Sequence, residues 1–327
     1  MTNFIYRSDL AVDFLKEDGF SQNHFYEKEE HHGILIEKMI LHEDDEKFQK
    51  KKGCYVSLSF ENIELEDVRE QLIPLLTKEI KRMMGYLNIE HPCKVLVCGL
   101  GNALLSCDSL GPLLQDQLIV SAHLKDIPEL EQMPQVALLI PRVRAQTGIE
   151  TFDIIYGTCQ QFAPDLVIAV DALATKNLGK VNHVIQLSSA GVQPGSGVGN
   201  RTKALSAEEL GIPLICLGVP TVVDCASITY DVLRLMEDYF ASQIQRPYEK
   251  LKVAKRGVDH LRLERTQREM LLGEIGKLSD DEKRYLLEEI IRPTSLNMIV
   301  MDKNTDLAIK ELAKVISHAL NDVFLED

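Results

Sequence analysis

The stretch Val95-Leu96-Val97-Cys98-Gly99-Leu100-Gly101-Asn102, running on to Asp108-Ser109-Leu110-Gly111-Pro112, carries the reading of the fold. Four consecutive apolar residues without alternation mark a strand buried on both faces. Gly99 and Gly101 then supply backbone that can turn sharply or be approached closely. The same grammar recurs at Val136-Ala137-Leu138-Leu139-Ile140, ended by Pro141, and at Leu166-Val167-Ile168-Ala169-Val170, followed by Asp171. Further apolar runs at 184–187 and 213–219 read as strands, and the alternating run 54–60 reads as another near the N-terminus.

Helical patterns fall between these runs. Over 64–87, Leu72, Leu76, Ile80, Met83 and Leu87 share one face, with Pro74 requiring a kink or a first-turn position. A helix is expected over 109–123. Another should open at the capping-box form Thr147-Gly148-Ile149-Glu150 and run to about Phe162, and a third should follow Asp224 as far as about Phe240. Strands alternating with helices predict an α/β fold with a mainly parallel central sheet and helices on both faces. N-terminal strands and a C-terminal helical tail complete it. In that tail, Ser279-Asp280-Asp281-Glu282 opens a helix stopped by Pro293, and a last helix from Thr305 carries Ile309, Leu312, Ile316, Leu320 and Val323 as its apolar stripe. The expected organisation is a core over 94–242, a charged connector over 243–266 and C-terminal helices over 267–327.

Composition narrows the function classes. The chain has 327 residues and a net charge of −14, from 50 acidic against 36 basic side chains, which argues against direct contact with nucleic-acid phosphates. No apolar run reaches the roughly 18 residues that cross a membrane, and no charged-then-apolar leader opens the chain. The 7 cysteines, without a Cys-x-x-Cys pair, fit reduced thiols in a cytoplasmic protein.

Several chemistries can be weighed on the residues alone. A dinucleotide fingerprint needs a third glycine where Leu104 stands, and the glycine-rich loop 195–200 lacks the Gly-Lys-Ser/Thr ending of a phosphate loop, so no nucleotide cofactor is expected. His31 and His32 beside Glu29 and Glu30 complete no ligand spacing and read as a solvated loop, so no metal is assigned. Cys107 and Cys225 neighbour aspartates but no sequence-adjacent cation, and read as structural thiols. Asp108, Asp171 and Asp224 follow three different strands, on the rim where open sheets gather ligands. The plain reading, favoured by composition, is that Asp108 and Asp224 cap helices and Asp171 starts a turn. The chemical reading is a pair of carboxylates sharing one proton, one activating water and the other protonating the substrate. Cap and catalyst are compatible, since a helix N-terminus favours the ionised carboxylate that a base requires.

The blocks taken together resemble the spore germination protease family. They are R-S-D-L-A-V-D at 7–13, G-L-G-N at 99–102, D-S-L-G-P at 108–112, T-G-I-E-T at 147–151 and A-V-D-A-L-A at 169–174. P-G-S-G-V-G-N at 194–200, L-G-I-P at 210–213, G-V-P-T-V-V-D at 218–224 and L-S-D-D-E-K-R at 278–284 complete the set. The resemblance implies an endopeptidase that degrades small acid-soluble spore proteins in the spore cytoplasm, with a fold similar to hydrogenase-maturation peptidases and a homotetrameric assembly. It implies Asp108 and Asp171 as the catalytic pair, and a zymogen that clips itself after an acidic residue. The matching bond here is Asp9–Leu10, leaving residues 1–9 as propeptide and 10–327 as the peptidase domain. Where the family has Pro-Gly-Val-Met-Gly, this chain has Pro141-Arg142-Val143-Arg144-Ala145, and Arg142 and Arg144 become candidate cations for an acidic substrate residue. Where a histidine is usual, it has Gln193. Gly195, Gly197 and Gly199 are candidates for lying along substrate backbone. Two alternatives stay open: a nickel-dependent maturation peptidase of the related fold using Asp108, Asp171 and a histidine such as His183, and a degenerate binding protein without activity.

Overall fold

The computed structural model describes residues 8–13, 25–45, 50–89, 91, 94–130, 133–192, 203–245 and 263–325. Gln193, Gly195, Gly197 and Gly199 lie outside them, as do residues 1–7 of the expected propeptide and most of the expected connector.

The strands are β1 (Phe25–His31), β2 (Ile34–Leu41), β3 (Gly53–Ser59), β4 (Lys94–Gly99), β5 (Gln135–Leu139), β6 (Leu166–Thr175), β7 (Val184–Ser188), β8 (Leu214–Asp224) and β9 (Ile299–Val300). The helices are α1 (Glu66–Tyr86), α2 (Arg144–Thr147), α3 (Thr151–Phe162), α4 (Ala207–Leu210), α5 (Cys225–Gln245), α6 (Arg265–Leu272), α7 (Asp280–Ile291) and α8 (Thr305–Phe324). The chain forms two compact units. The larger is drawn from Arg7–Thr175, Gly179–Val222 and Met301–Asp327, the smaller from Lys176–Leu178 and Val223–Val300.

In the larger unit the strands run in the order β1-β2-β3-β7-β8-β6-β4-β5. The apolar run at 95–98 sits deep in it, with β4 parallel to β5 on one side and to β6 on the other. Its side chains alternate between two cores, as strand geometry requires. Val95 and Val97, with Ile168 and Val170 of β6, meet Leu72, Leu76 and Ile80 of α1 and Ile309, Leu312 and Ile316 of α8. Leu96 and Cys98, with Val167 and Ala169, meet Phe152, Ile155 and Cys159 of α3. Helices on both faces of a buried sheet are therefore present, and the terminal helix is a core element.

The sheet is mixed rather than mainly parallel. β1, β2, β3, β7 and β8 pair antiparallel in sequence along it. His31 and His32 are not in an open loop: β1 ends at His31, and His32 and Gly33, at φ 51° and 79°, make the two-residue turn into β2. Two positive φ values in succession are what a tight hairpin of native twist demands.

The expected helix over 109–123 does not form. Short 3-10 turns at Ser106–Asp108, Pro112–Asp116 and Ala122–Leu124 take its place. The helix expected from Thr147 to about Phe162 starts instead at Thr151, as α3, after the separate short helix α2 and left-handed Gly148 at φ 74°. The Thr147 hydroxyl serves that turn, accepting from the Ile149 N–H at 3.1 Å rather than capping a helix.

In the smaller unit, Val223 and Asp224 at the end of β8 pair with Val300 and Ile299 of β9. Asp224 caps α5, accepting from the Ser227 N–H at 2.6 Å. Ser279 and Glu282 form the capping box that opens α7, and Lys283 pairs with Glu237 at 2.5 Å in a buried position.

Candidate functional site

Asp108 is held by backbone. β4 ends at Gly99, the Leu100 N–H donates to the Val170 carbonyl at 2.8 Å, and the chain loops out and returns. On its return the Asn102 N–H donates to the Asp108 carbonyl at 2.9 Å. Gly101, at φ 112°, lies so close that a Cβ there would stand 2.2 Å from that carbonyl oxygen and 2.9 Å from Asp108 Oδ1. Gly111 fits against the start of the loop in the same way: its Cβ would meet the Leu100 oxygen at 2.3 Å. The Thr221 hydroxyl ties the Cys107 carbonyl to β8 at 2.6 Å. Asp108 thus ends a 3-10 turn with no α-helix behind it, so the helix-dipole argument for its ionisation does not apply. Burial instead pushes its carboxyl up to about 6, the Asn102 N–H pulling weakly the other way.

Asp171 lies within β6 rather than after it, because the strand continues to Thr175. It is 5% exposed. Burial raises its carboxyl well above the ordinary carboxylate range, and the charges of Asp108 and Asp9 raise it further. The Ala172 N–H, donating to Asp171 Oδ1 at 2.9 Å, offsets only part of this. Two carboxyls within each other's field cannot both ionise cheaply, so the deeper Asp171 keeps its proton while Asp108 releases first.

The third carboxyl in that field belongs to Asp9, and the segment Ser8–Asp13 is docked beside Asp171. The Asp9 N–H donates to the Ala174 carbonyl at 3.0 Å, and the Ala174 N–H donates back to Asp9 Oδ2 at 2.9 Å. Leu10 is fully buried against Leu173 and Val184. Leu173 and Asp171 share a face of β6 by the two-residue period. Gly218 of β8 makes room for Leu173, since a Cβ there would lie 2.4 Å from Leu173 Cδ1. Ala11 fills a second pocket lined by Met39, Leu41 and Tyr55. Burial pushes the Asp13 carboxyl up, but Lys180 at 2.8 Å, with Ser8 and Thr175, holds it below its ordinary value.

Two further side chains grip this segment, and sequence reading did not single them out. Lys50 Nζ donates to the carbonyls of Ser8 at 3.0 Å and Asp9 at 2.9 Å. Gln186 of β7 donates from Nε2 to the Asp9 carbonyl at 3.2 Å and accepts at Oε1 from the Ala11 N–H at 2.6 Å. A glutamine inside the apolar run 184–187 was the available signal. Lys50, in a run of lysines, gave none.

The remaining candidates fall as follows. Arg142 adopts φ 62°, where the family pattern has a glycine. Arg144 is paired with Glu150 of its own loop at 2.5 Å. Gln146 of that loop donates to Asn102 Oδ1 at 2.8 Å, bringing the loop against the one that carries Asp108. Cys107 is held as a thiol by its burial and the neighbouring Asp108 charge. His183 packs on the Phe60 ring, centroids 6.5 Å apart. Among the described residues no three His, Cys, Asp or Glu side chains converge as a metal site would require, and no helix is long and apolar enough to cross a membrane.

The family model described as germination protease matches residues 14–327. The germination protease of Bacillus licheniformis is 36% identical over 354 aligned residues, covering 100% of this chain and 95% of the relative. That of Priestia megaterium is 37% identical over 348, covering 98% and 94%. Among solved structures, the [NiFe] hydrogenase maturation protease HycI of Thermococcus kodakarensis aligns with 40% of this chain and 75% of its own, at 23% identity and a TM-score of 0.27.

Proposed function

The chain belongs to the germination protease family and is a peptidase, and from that premise we propose that it works through Asp108 and Asp171 and is made as a zymogen that cuts its own Asp9–Leu10 bond. The observation that carries this reading is the docking of Ser8–Asp13 beside Asp171, with Asp9 paired to Ala174 and Leu10 buried. An acidic residue, an aliphatic one and an alanine occupy successive positions in that groove. Proteins presenting the same series in an extended segment are the fitting substrates, and small acid-soluble spore proteins within the spore cytoplasm are the proposed class. A homotetramer is the proposed assembly.

In this mechanism Asp108, the more readily ionised carboxyl, takes a proton from water as the water attacks the carbonyl carbon of Asp9. Asp171, which keeps its proton, delivers it to the nitrogen of Leu10 as the bond breaks. The rate should fall as pH drops through about 6, where Asp108 becomes protonated.

Asp108→Asn and Asp171→Asn are each expected to fold yet lose self-cutting and cleavage of an added spore protein, by at least about a thousandfold, since a unit of two groups fails when either is removed. Mass spectrometry of the N-terminus reads the first and gel analysis of the substrate reads the second. Full activity in either variant would end the two-aspartate reading.

A further inference from the structure

We infer that Lys50 and Gln186 form the oxyanion site of this peptidase, holding the carbonyl oxygen of the bond to be cut and taking up the negative charge that develops there. The inference rests on the reading of Asp9–Leu10 as that bond. The oxygen in question is the Asp9 carbonyl, which accepts from Lys50 Nζ at 2.9 Å and from Gln186 Nε2 at 3.2 Å. Donors within hydrogen-bonding reach of that oxygen, in place before the reaction, are what stabilises a tetrahedral intermediate. An ammonium contributes more than a neutral donor because hydrogen bonds to charged groups are shorter and stronger.

Gln186 does more than donate. Its two amide atoms straddle the bond: Nε2 holds the carbonyl before it, and Oε1 holds the Ala11 N–H beyond it at 2.6 Å. The residue is 5% exposed and stands in a strand whose four other residues are also buried. A buried amide requires partners for both ends, and here both ends are turned to backbone atoms of the docked segment. Those partners are main-chain groups, so a different protein lying in the same groove would meet them equally. Lys50 likewise donates to main-chain oxygens of the segment, those of Ser8 and Asp9. Side-chain selection falls instead to the pockets that hold Leu10 and Ala11.

The step balances without any further reactant. Asp108 takes one proton of the water, and the hydroxide oxygen bonds to the Asp9 carbonyl carbon. The carbonyl π pair moves onto oxygen, where Lys50 and Gln186 hold it. The pair then re-forms the C=O bond, the bond to the Leu10 nitrogen breaks, and that nitrogen takes the Asp171 proton. Products are a carboxylic acid at Asp9 and an amine at Leu10, with one proton still on the pair of aspartates. Because the oxygen is held as an anion, the Asp171 proton remains available for the nitrogen.

The test uses the full chain and the variants Lys50→Met, Lys50→Arg and Gln186→Leu, with self-cutting followed first. Steady-state kinetics follow on the clipped chain, with a peptide of the sequence Ser-Asp-Leu-Ala-Val-Asp extended at both ends. An oxyanion role predicts that Lys50→Met and Gln186→Leu each lower kcat by about a hundredfold or more with KM changed only a few-fold. Lys50→Arg, which keeps the cation, should restore most of kcat. A mere anchoring role predicts raised KM with kcat intact, and that outcome overturns the inference while the two-aspartate reading stands. Should Lys50→Met fail to fold, the Lys50→Arg and Gln186→Leu pair decides by the same split. A wild-type chain that neither cuts itself nor the peptide overturns the proposed function, and this inference with it.

Discussion

The loop that carries Asp108 and the segment that carries Asp9 arrive beside Asp171 by opposite means. The first is fixed by main chain against main chain: Gly101 and Gly111 leave no room for a Cβ, and its ties run through the carbonyls of Val170, Asp108 and Cys107. The second is held by side chains gathered from distant positions, Lys50, Gln186 and Lys180, and by two small apolar pockets. Backbone interlock cannot be undone without unfolding, because it is part of the core. A set of side-chain grips and pockets can be vacated while the sheet stays whole. On the proposed function, the difference separates a permanent part of the site from a replaceable occupant.

The largest effect should come from breaking the permanent part. Gly111→Ala places a methyl 2.3 Å from the Leu100 oxygen and 2.6 Å from the Gly99 carbonyl carbon, both backbone that cannot yield. A loss of about 3 kcal/mol or more is expected, at the top of the overpacking range. Chemical denaturation measures it, and a wild-type midpoint would show that the loop is not locked as described.

A smaller effect, confined to the replaceable part, should follow Leu10→Ala. Emptying that pocket should weaken docking of the segment by about 2–3 kcal/mol. Amide exchange would then rise over residues 8–13 while protection across β4 and β6 stays unchanged. Loss of protection in both regions together would erase the distinction.

The smallest effect is a gain. Burial holds the Asp108 carboxyl above its ordinary value, at about 6 against 3.8. Its ionisation therefore costs stability, progressively from pH 3.8 up to about 6 and constantly beyond. Asp108→Asn removes that cost, so the variant should be more stable than wild type above pH 6 and no more stable below 3.8. The gain should be on the order of 2 kcal/mol, allowing for partial solvent access. Melting curves at several pH values read it, and a gain that persists at low pH would point to some other cause.

The two regions also differed in how far they could be read from the chain. β4, β5 and β6 were legible because strands buried on both faces leave unbroken apolar runs. The helix expected over 109–123 failed because Gly111 and Pro112 are required for the interlock with Gly99 and Leu100, a tertiary demand that local pattern does not record. β1, with the sequence Phe-Tyr-Glu-Lys-Glu-Glu-His, is mostly exposed and so lacks the alternation that marks a half-buried strand. The antiparallel half of the sheet was underestimated for that reason. Asp108 and Asp171 were singled out as candidates by their positions beside apolar strand runs and by family resemblance. The grips on Asp9 depend on contacts 41 and 177 residues apart in sequence, and no spacing rule reaches that far.

The complete burial of Leu10 carries a thermodynamic sense of direction. In the intact chain its nitrogen belongs to a neutral amide, and an apolar pocket holds the side chain at no electrostatic expense. Hydrolysis would turn that nitrogen into an ammonium, at the mouth of a pocket that disfavours ions. The new amino end at Leu10 would then be drawn outward toward water, and its pocket would empty through the very reaction that its occupant undergoes. On the proposed reaction, such a pocket would act as a ratchet: it would accept an uncut chain, reject the new amino end, and stand ready for the next extended segment.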